Sequence, residues 1–335
     1  MKKQKKVVME ASYYETLDNG KIKCVLCPNF CVLSDGKTGA CRVRSNRNGT
    51  LYADAYGEVI SLSIDPIEKK PLYHFYPTKP ILSTGSNGCN FRCRFCQNSG
   101  ISQDKASTRH VSPEDLAGLA SKDGLIGVAY TYTEPFTWFE FVRDAGYLVR
   151  ERGLVNVLVT NGYVNEEPLR ELLPLVDAMN IDLKSMRPEF YSKVCGGKLE
   201  DVLRTIEIAA DSCHIELTNL IITNYNDTEE DFEKLVDWIC SINPSIPLHF
   251  SRYFPHYRFT EPQTPVETLR KAYEIAKSKL TYVYVGNINL EGTSDTVCPK
   301  CGNTLVNRSF YLVKASGIQN GACRSCGSPV DFVGV

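Results

Sequence analysis

The chain carries almost no surplus charge: 38 Lys and Arg residues face 39 Asp and Glu, for a formal net charge of −1. That balance excludes a global attraction to nucleic acid or anionic lipid, although it leaves room for a local patch. Long apolar runs are missing too, and no uninterrupted one is long enough to cross a bilayer. The basic start at Lys2, Lys3, Lys5 and Lys6 leads into the polar Ser12-Tyr13-Tyr14-Glu15 rather than an apolar segment. No secretory signal is therefore expected, and the expected compartment is the cytoplasm. A hydrophobic content of 43% still permits a sizeable core, and 335 residues suit one large α/β domain with appendages, or two domains.

Cysteine, by contrast, is plentiful. Of the 14 residues, eleven fall into three compact groups: Cys24, Cys27, Cys31 and Cys41; Cys89, Cys93 and Cys96; and Cys298, Cys301, Cys323 and Cys326. Clustered thiols in a reducing compartment read as metal ligands rather than disulfides. The scattered Cys195, Cys213 and Cys240 read as buried apolar fillers.

Three regions follow: a four-cysteine segment at 1–80, a patterned core at 81–290 and a cysteine-bearing tail at 291–335. In the core, β-branched and apolar runs at 81–86, 126–132, 155–160, 178–183, 214–222, 248–253 and 282–285 suit strands buried on both faces of a parallel sheet. Amphipathic stretches at 113–121, 136–151, 166–173, 200–210, 229–240 and 265–278 suit the intervening helices. Ser112-Pro113 and Thr264-Pro265 each place an expected cap just before a first-turn proline. Pattern alone does not separate a closed barrel, an open barrel and a doubly wound sheet.

The most specific motif is Cys89-x3-Cys93-x2-Cys96, just after the first core strand. An iron–sulfur cube normally takes four thiolates, so a loop offering three leaves one iron open to a substrate or cofactor. A zinc knuckle is the competing reading, but zinc prefers paired Cys-x2-Cys units, and no fourth cysteine lies nearby in sequence. The loop resembles that of the radical S-adenosylmethionine (SAM) enzymes. This resemblance implies a 4Fe–4S cluster, a partial (βα)6 TIM-like barrel and one-electron cleavage of SAM. The cleavage gives methionine and a 5′-deoxyadenosyl radical that abstracts hydrogen from a substrate. It also implies an external one-electron reductant of the flavodoxin or ferredoxin type.

In α/β barrels, chemistry gathers at the C-terminal ends of the strands. There, Tyr132-Thr133-Glu134-Pro135 stands where the family holds the SAM amino group, with Thr133 and Glu134 in place of a glycine-glycine-glutamate stretch. Glu134-Pro135 reads equally as a simple helix cap. Asn180-Ile181-Asp182-Leu183-Lys184 resembles the stretch that glycyl-radical-enzyme activases use for SAM. That match implies ribose hydroxyls on Asp182 and the methionine carboxylate on Lys184; a surface ion pair is the plainer reading. By position, Asn161, Asn219 and Ile222 are further candidates for the SAM pocket, and His249 matches a ribose-contacting histidine. A lone histidine on an apolar strand is as readily a core residue.

Together with Asp65-Pro66-Ile67-Glu68-Lys69-Lys70-Pro71-Leu72-Tyr73-His74-Phe75, His249-Phe250-Ser251-Arg252 and Tyr284-Val285-Gly286-Asn287-Ile288, these stretches resemble one branch of the pyruvate formate-lyase-activase-like enzymes. This is the AmmeMemoRadiSam system radical SAM enzyme, a name that implies partner proteins of that system. Two rival readings are an activase of a glycyl radical enzyme and a non-catalytic, metal-stabilised binding protein. A large glycyl radical partner encoded nearby would favour the first; absence of SAM binding would favour the second. In the tail, two Cys-x2-Cys-Gly units about twenty residues apart read as a zinc ribbon, with a strand expected at 309–313. The spacing Cys24-x2-Cys27-x3-Cys31-x9-Cys41 closes a four-thiolate site for zinc or an auxiliary cluster, with a lean to zinc.

Overall fold

The computed structural model describes residues 8–309 and 312–335; Lys2, Lys3, Lys5, Lys6 and, in the expected tail strand, Phe310 and Tyr311 lie outside the described residues. Every core strand read from the sequence is present. They are β2 (Pro80–Gly85), β3 (Gly127–Tyr130), β4 (Val155–Thr160), β5 (Ala178–Asp182), β6 (His214–Ile221), β7 (Leu248–Arg252) and β8 (Val283–Gly286). These seven run parallel to one another and stand in sequence order. Their mid-strand residues, such as Ala129, Val157, Leu158, Met179 and Ile181, are fully buried, as a sheet covered on both faces demands.

One strand of this sheet was not legible. Ser61–Pro66 forms β1, which runs antiparallel to β2 and closes the far edge of the eight-stranded sheet. Among the described residues the two edge strands, β1 and β8, do not pair with each other, so the sheet is open.

Six helices fill the connections: α1 (Pro113–Ala120), α2 (Phe139–Glu151), α3 (Glu166–Leu172), α4 (Leu199–Ala210), α5 (Glu229–Ile242) and α6 (Val266–Lys277). The Ser112 cap on α1 forms as the sequence predicts, accepting from the Asp115 amide at 3.0 Å. The expected Thr264 cap on α6 does not. Its hydroxyl instead donates to the Ile221 carbonyl at 2.6 Å and accepts from the Tyr253 amide at 2.9 Å, tying the end of β6 to that of β7.

The N-terminal region shares one apolar core with the sheet, Ile22, Leu26, Leu33 and Leu51 joining Leu82, Val128 and Leu158. Arg44 and Glu140, each 1% exposed, pair across that junction, Arg44 Nη1 donating to both carboxylate oxygens at 3.0 Å. The tail packs against the segment before β2. Tyr76 and Val333 exchange a backbone hydrogen bond, as do Val333 and His74, and Arg308 lies 4.1 Å over the Tyr73 ring.

His74 is the centre of a buried network. Its Nδ1 meets the Asp331 carbonyl at 2.7 Å, its Nε2 meets the Tyr284 hydroxyl at 2.6 Å, and its amide donates to Glu216 at 2.7 Å. Burial, reinforced by Arg308 and His214, pushes the ring down to about 3 against the pull of Glu216 and the Asp331 carbonyl. The unfolded chain therefore takes up a proton below about pH 6.5 that the folded chain refuses. The stability is fully present above that pH and drains away as pH falls towards 3, by about 1.4 kcal/mol per pH unit from this group. We expect His74→Gln to remove about one proton's worth of slope from unfolding free energy against pH between roughly pH 5 and 6.5. Urea titrations at each pH check this, and an unchanged slope would contradict it.

Candidate active site at the strand ends

The three-cysteine loop hangs from the end of β2. Gly88 turns the chain with φ of +95°, and its amide donates to the Ile101 carbonyl at 2.9 Å. The Arg92 and Arg94 amides bond to the Cys195 and Val194 carbonyls at 2.8 and 3.2 Å, fixing the loop's back to a single π-helical turn at Tyr191–Cys195. Cys89 Sγ accepts from the Phe91 amide at 3.4 Å and from Asn161 Nδ2 at 3.5 Å, and Cys96 Sγ lies 3.2 Å from the Ser102 hydroxyl.

Burial pushes the Cys89 and Cys96 thiols up, and a hydrogen bond with Cys195, then burial, does the same for Cys93. Bare thiols of this kind stay protonated until a metal displaces the proton. Among the described residues, only the tail cysteines bring three or more ligand atoms within 4.8 Å of one another. Cys89, Cys93 and Cys96 line one cavity without gathering into so close a group.

That cavity, about 240 Å³, collects most of the residues expected from the sequence: Thr133, Asn161, Asp182 and Lys184 border it with the three cysteines. Asp182 and Lys184 pair at 2.8 Å. Burial opposes the charge on Lys184, but Asp182, with the Cys93 and Cys195 sulfurs, holds its ammonium well above the usual lysine value. The Thr133 hydroxyl donates to the Ser86 carbonyl at 2.7 Å, keeping this strand end against the cluster loop.

Four expected residues point elsewhere. Glu134 is 1% exposed and serves as a strut. Its carboxylate accepts from the Thr160 hydroxyl at 2.7 Å, the Asn161 amide at 2.8 Å and the Phe136 amide at 3.1 Å, the last capping the 3-10 turn Pro135–Trp138. Burial pushes it up to about 7 despite those donors. Asn219 turns back to donate to the Leu183 carbonyl at 2.7 Å, and Ile222 is wholly buried. His249 sits below the cavity, bonded to Glu216 at 2.6 Å and packed edge-on against Tyr73.

In their place the structure brings Thr218, Leu220, Ser251 and Asn287 to the wall. The signal for them lay in strand periodicity. Thr218 pairs directly with Asp182, so both face the same way, and Ser251 follows His249 by two.

The tail cysteines converge as a tetrahedral site would. The Cys298–Cys326 and Cys301–Cys323 sulfurs are each 3.7 Å apart, and the Ser328 hydroxyl, 3.4 Å from Cys326, helps pull that thiol down to about 6. Cys24, Cys27, Cys31 and Cys41 line a separate, enclosed cavity.

Comparison with known proteins adds four findings. The sequence profile of the radical SAM superfamily matches residues 83–239. An uncharacterized protein of Methanocaldococcus jannaschii is 44% identical over 333 residues, covering 97% of this chain and 99% of that one. The pyruvate formate-lyase 1-activating enzyme of Escherichia coli K12 is 25% identical over 159 residues, 44% of this chain and 63% of the enzyme. Among solved structures, SuiB of Streptococcus suis bound to S-adenosylmethionine has the same fold over 61% of this chain and 49% of its own, with a TM-score of 0.51 and 13% identity.

The loop geometry makes its own prediction at Gly88. A Cβ there would lie 2.6 Å from the Cys41 carbonyl oxygen and 2.7 and 2.9 Å from the Val43 methyls. Gly88→Ala should therefore cost about 1–3 kcal/mol and lower the iron retained at the loop. Gly100→Ala, with nothing within 4 Å, should change neither by a measurable amount. Thermal unfolding and iron assays under anaerobic conditions separate the two.

Proposed function

We propose that the chain is a radical SAM enzyme in which Cys89, Cys93 and Cys96 hold a 4Fe–4S cluster with one iron open to SAM. The superfamily implies both the cluster and SAM. The observation that carries this reading is the meeting of three thiols, Thr133, Asn161 and the Asp182–Lys184 pair in one cavity at the strand ends. Such a cluster, once reduced by a flavodoxin- or ferredoxin-type donor, supplies the electron that splits SAM into methionine and a 5′-deoxyadenosyl radical.

The chain's own residues bind and orient. Lys184, kept charged by its neighbours, pairs with the methionine carboxylate, and Asp182 accepts from the ribose hydroxyls. Thr133 lies at the amino end, and Asn161 steadies Cys89 while remaining at the wall. Glu134 acts through others, holding Asn161 and the following turn. Phe91, Phe95 and Leu220 supply apolar wall that keeps water from a reactive radical.

The ordered motifs support assignment to the AmmeMemoRadiSam branch, with partner proteins of that system and a cytoplasmic setting suited to so many reduced thiols. Among the described residues no helix is long and apolar enough to cross a membrane. A second reading, activation of a glycyl radical enzyme, draws on the names of two partial relatives. One is the E. coli activating enzyme; the other is a (2S)-3-sulfopropanediol dehydratase activating enzyme of Klebsiella oxytoca, 29% identical over 34% of this chain. For the tail, the 3.7 Å sulfur spacing supports a structural zinc ribbon.

Anaerobic reconstitution followed by reductant and SAM should yield methionine and 5′-deoxyadenosine, and Cys96→Ala should abolish both. Lys184→Ala should weaken SAM binding by about 10- to 100-fold while leaving the cluster absorbance in place. Failure to form 5′-deoxyadenosine with a fully loaded cluster would count against the enzyme reading. In the tail, Cys301→Ser should release about one zinc per chain and open residues beyond 290 to protease. Protection equal to that of the parent protein would remove the zinc ribbon from consideration.

A further inference from the structure

The N-terminal cysteines are arranged unlike the tail knuckles. All four line one enclosed cavity of about 10 Å³, roughly room for a single water-sized sphere at its centre. A tetrahedral zinc with Zn–S bonds of about 2.3 Å would draw its sulfurs to roughly 3.8 Å apart and leave no such space. The tail site has that spacing, at 3.7 Å in each of two pairs. Among the described residues only the tail four gather as a close metal-ligand group; neither Cys24, Cys27, Cys31 and Cys41 nor Cys89, Cys93 and Cys96 do so. By this internal standard the N-terminal set sorts with the cluster loop.

The wall of the cavity adds a second observation. Arg44 borders it, is 1% exposed, and leaves its Nε without a hydrogen-bond partner. Its Nη1 bonds Glu140 and its Nη2 the Ser12 carbonyl, while Nε is a buried donor with no partner in the protein. The Ala40 amide already points at Cys31 Sγ from 3.4 Å. Donors of this kind stabilise the negative charge that four thiolates bring to an iron–sulfur cube. The set is also tied to the first loop. Asn29, between Cys27 and Cys31, donates to the Asn90 carbonyl at 2.9 Å, and Arg42, next to Cys41, donates to the Cys89 carbonyl at 3.2 Å.

We propose that Cys24, Cys27, Cys31 and Cys41 hold a second 4Fe–4S cluster, with every iron thiolate-bound, next to the first. This assignment uses residues that play no part in the SAM reading, so each can fail alone. The full-length chain, purified and reconstituted without oxygen, should bind about eight irons and about one zinc. The triple variant Cys89→Ala, Cys93→Ala, Cys96→Ala should keep about four irons and show, when reduced, a cluster signal in electron paramagnetic resonance that SAM does not alter. Cys24→Ser with Cys41→Ser should lose about four irons and keep a signal that SAM does alter. An iron-free triple variant with about two zinc ions per chain would overturn the second cluster. If that variant fails to fold, the parent protein decides: about one zinc sustains the assignment and about two rejects it. The SAM response of the parent protein tests the first site separately.

Discussion

One buried carboxylate joins the strand ends on which the cavity depends. Glu134, at the end of β3, accepts from the Thr160 hydroxyl and the Asn161 amide at the end of β4. Asn161 in turn donates to Cys89 Sγ and to Asn90 Oδ1, so the register of two strands is passed to the metal-binding loop within three hydrogen bonds. Burial raises the carboxyl to about 7, a cost that its three donors only partly offset. A group kept under that strain holds position for others. This explains why a residue suggested by motif as a SAM contact is found facing the scaffold instead.

The fold was legible because its strands are short, apolar and separated by capped amphipathic helices. β1 escaped notice because Ser61, Ser63 and Asp65 break the apolar pattern on an edge strand, where only one side needs a partner. The site was legible where a motif fixed both residue and phase. Asp182 and Lys184 reach the cavity as the strand pleat requires. On β6 the resemblance gave the strand but not the phase, and a shift of one residue exchanged Asn219 for Thr218 and Leu220. His249 lies off the cavity wall for a different reason. It shares a face with Ser251 but lies one step deeper, where Glu216 on the neighbouring strand claims it. Depth along a strand is set by the neighbour's stagger, and a single sequence does not contain it.

Below the cavity, the interior of the sheet holds buried charge beside its hydrocarbon. Glu216 accepts from His214, His249 and the His74 amide, and these bonds hold its carboxyl far below the usual range although burial works against them. Tyr73 and Tyr284 pack on His249 with ring centroids 4.7 and 5.1 Å away. A satisfied polar floor of this kind is costly to disturb, since each member lost leaves a partner unpaired in low dielectric.

That floor makes the tail part of the core region and not merely an appendage. Thr296 bonds the Tyr284 hydroxyl at 2.7 Å, and Arg308 bonds Thr296 Oγ1 at 2.7 Å and the Tyr73 carbonyl at 2.7 Å. The strand carrying Arg308, Thr304–Ser309, begins just after Cys301, so the four tail sulfurs fix the strand that delivers the guanidinium. Losing an ion there would free Arg308 from a site that is 6% exposed and lined by two aromatic rings. The consequence would travel along Thr296, Tyr284 and His74 to Glu216, the group that anchors His249 two residues below the cavity wall at Ser251. An ion held by the tail cysteines would thereby be linked to the site within the sheet through hydrogen bonds that each have two named ends.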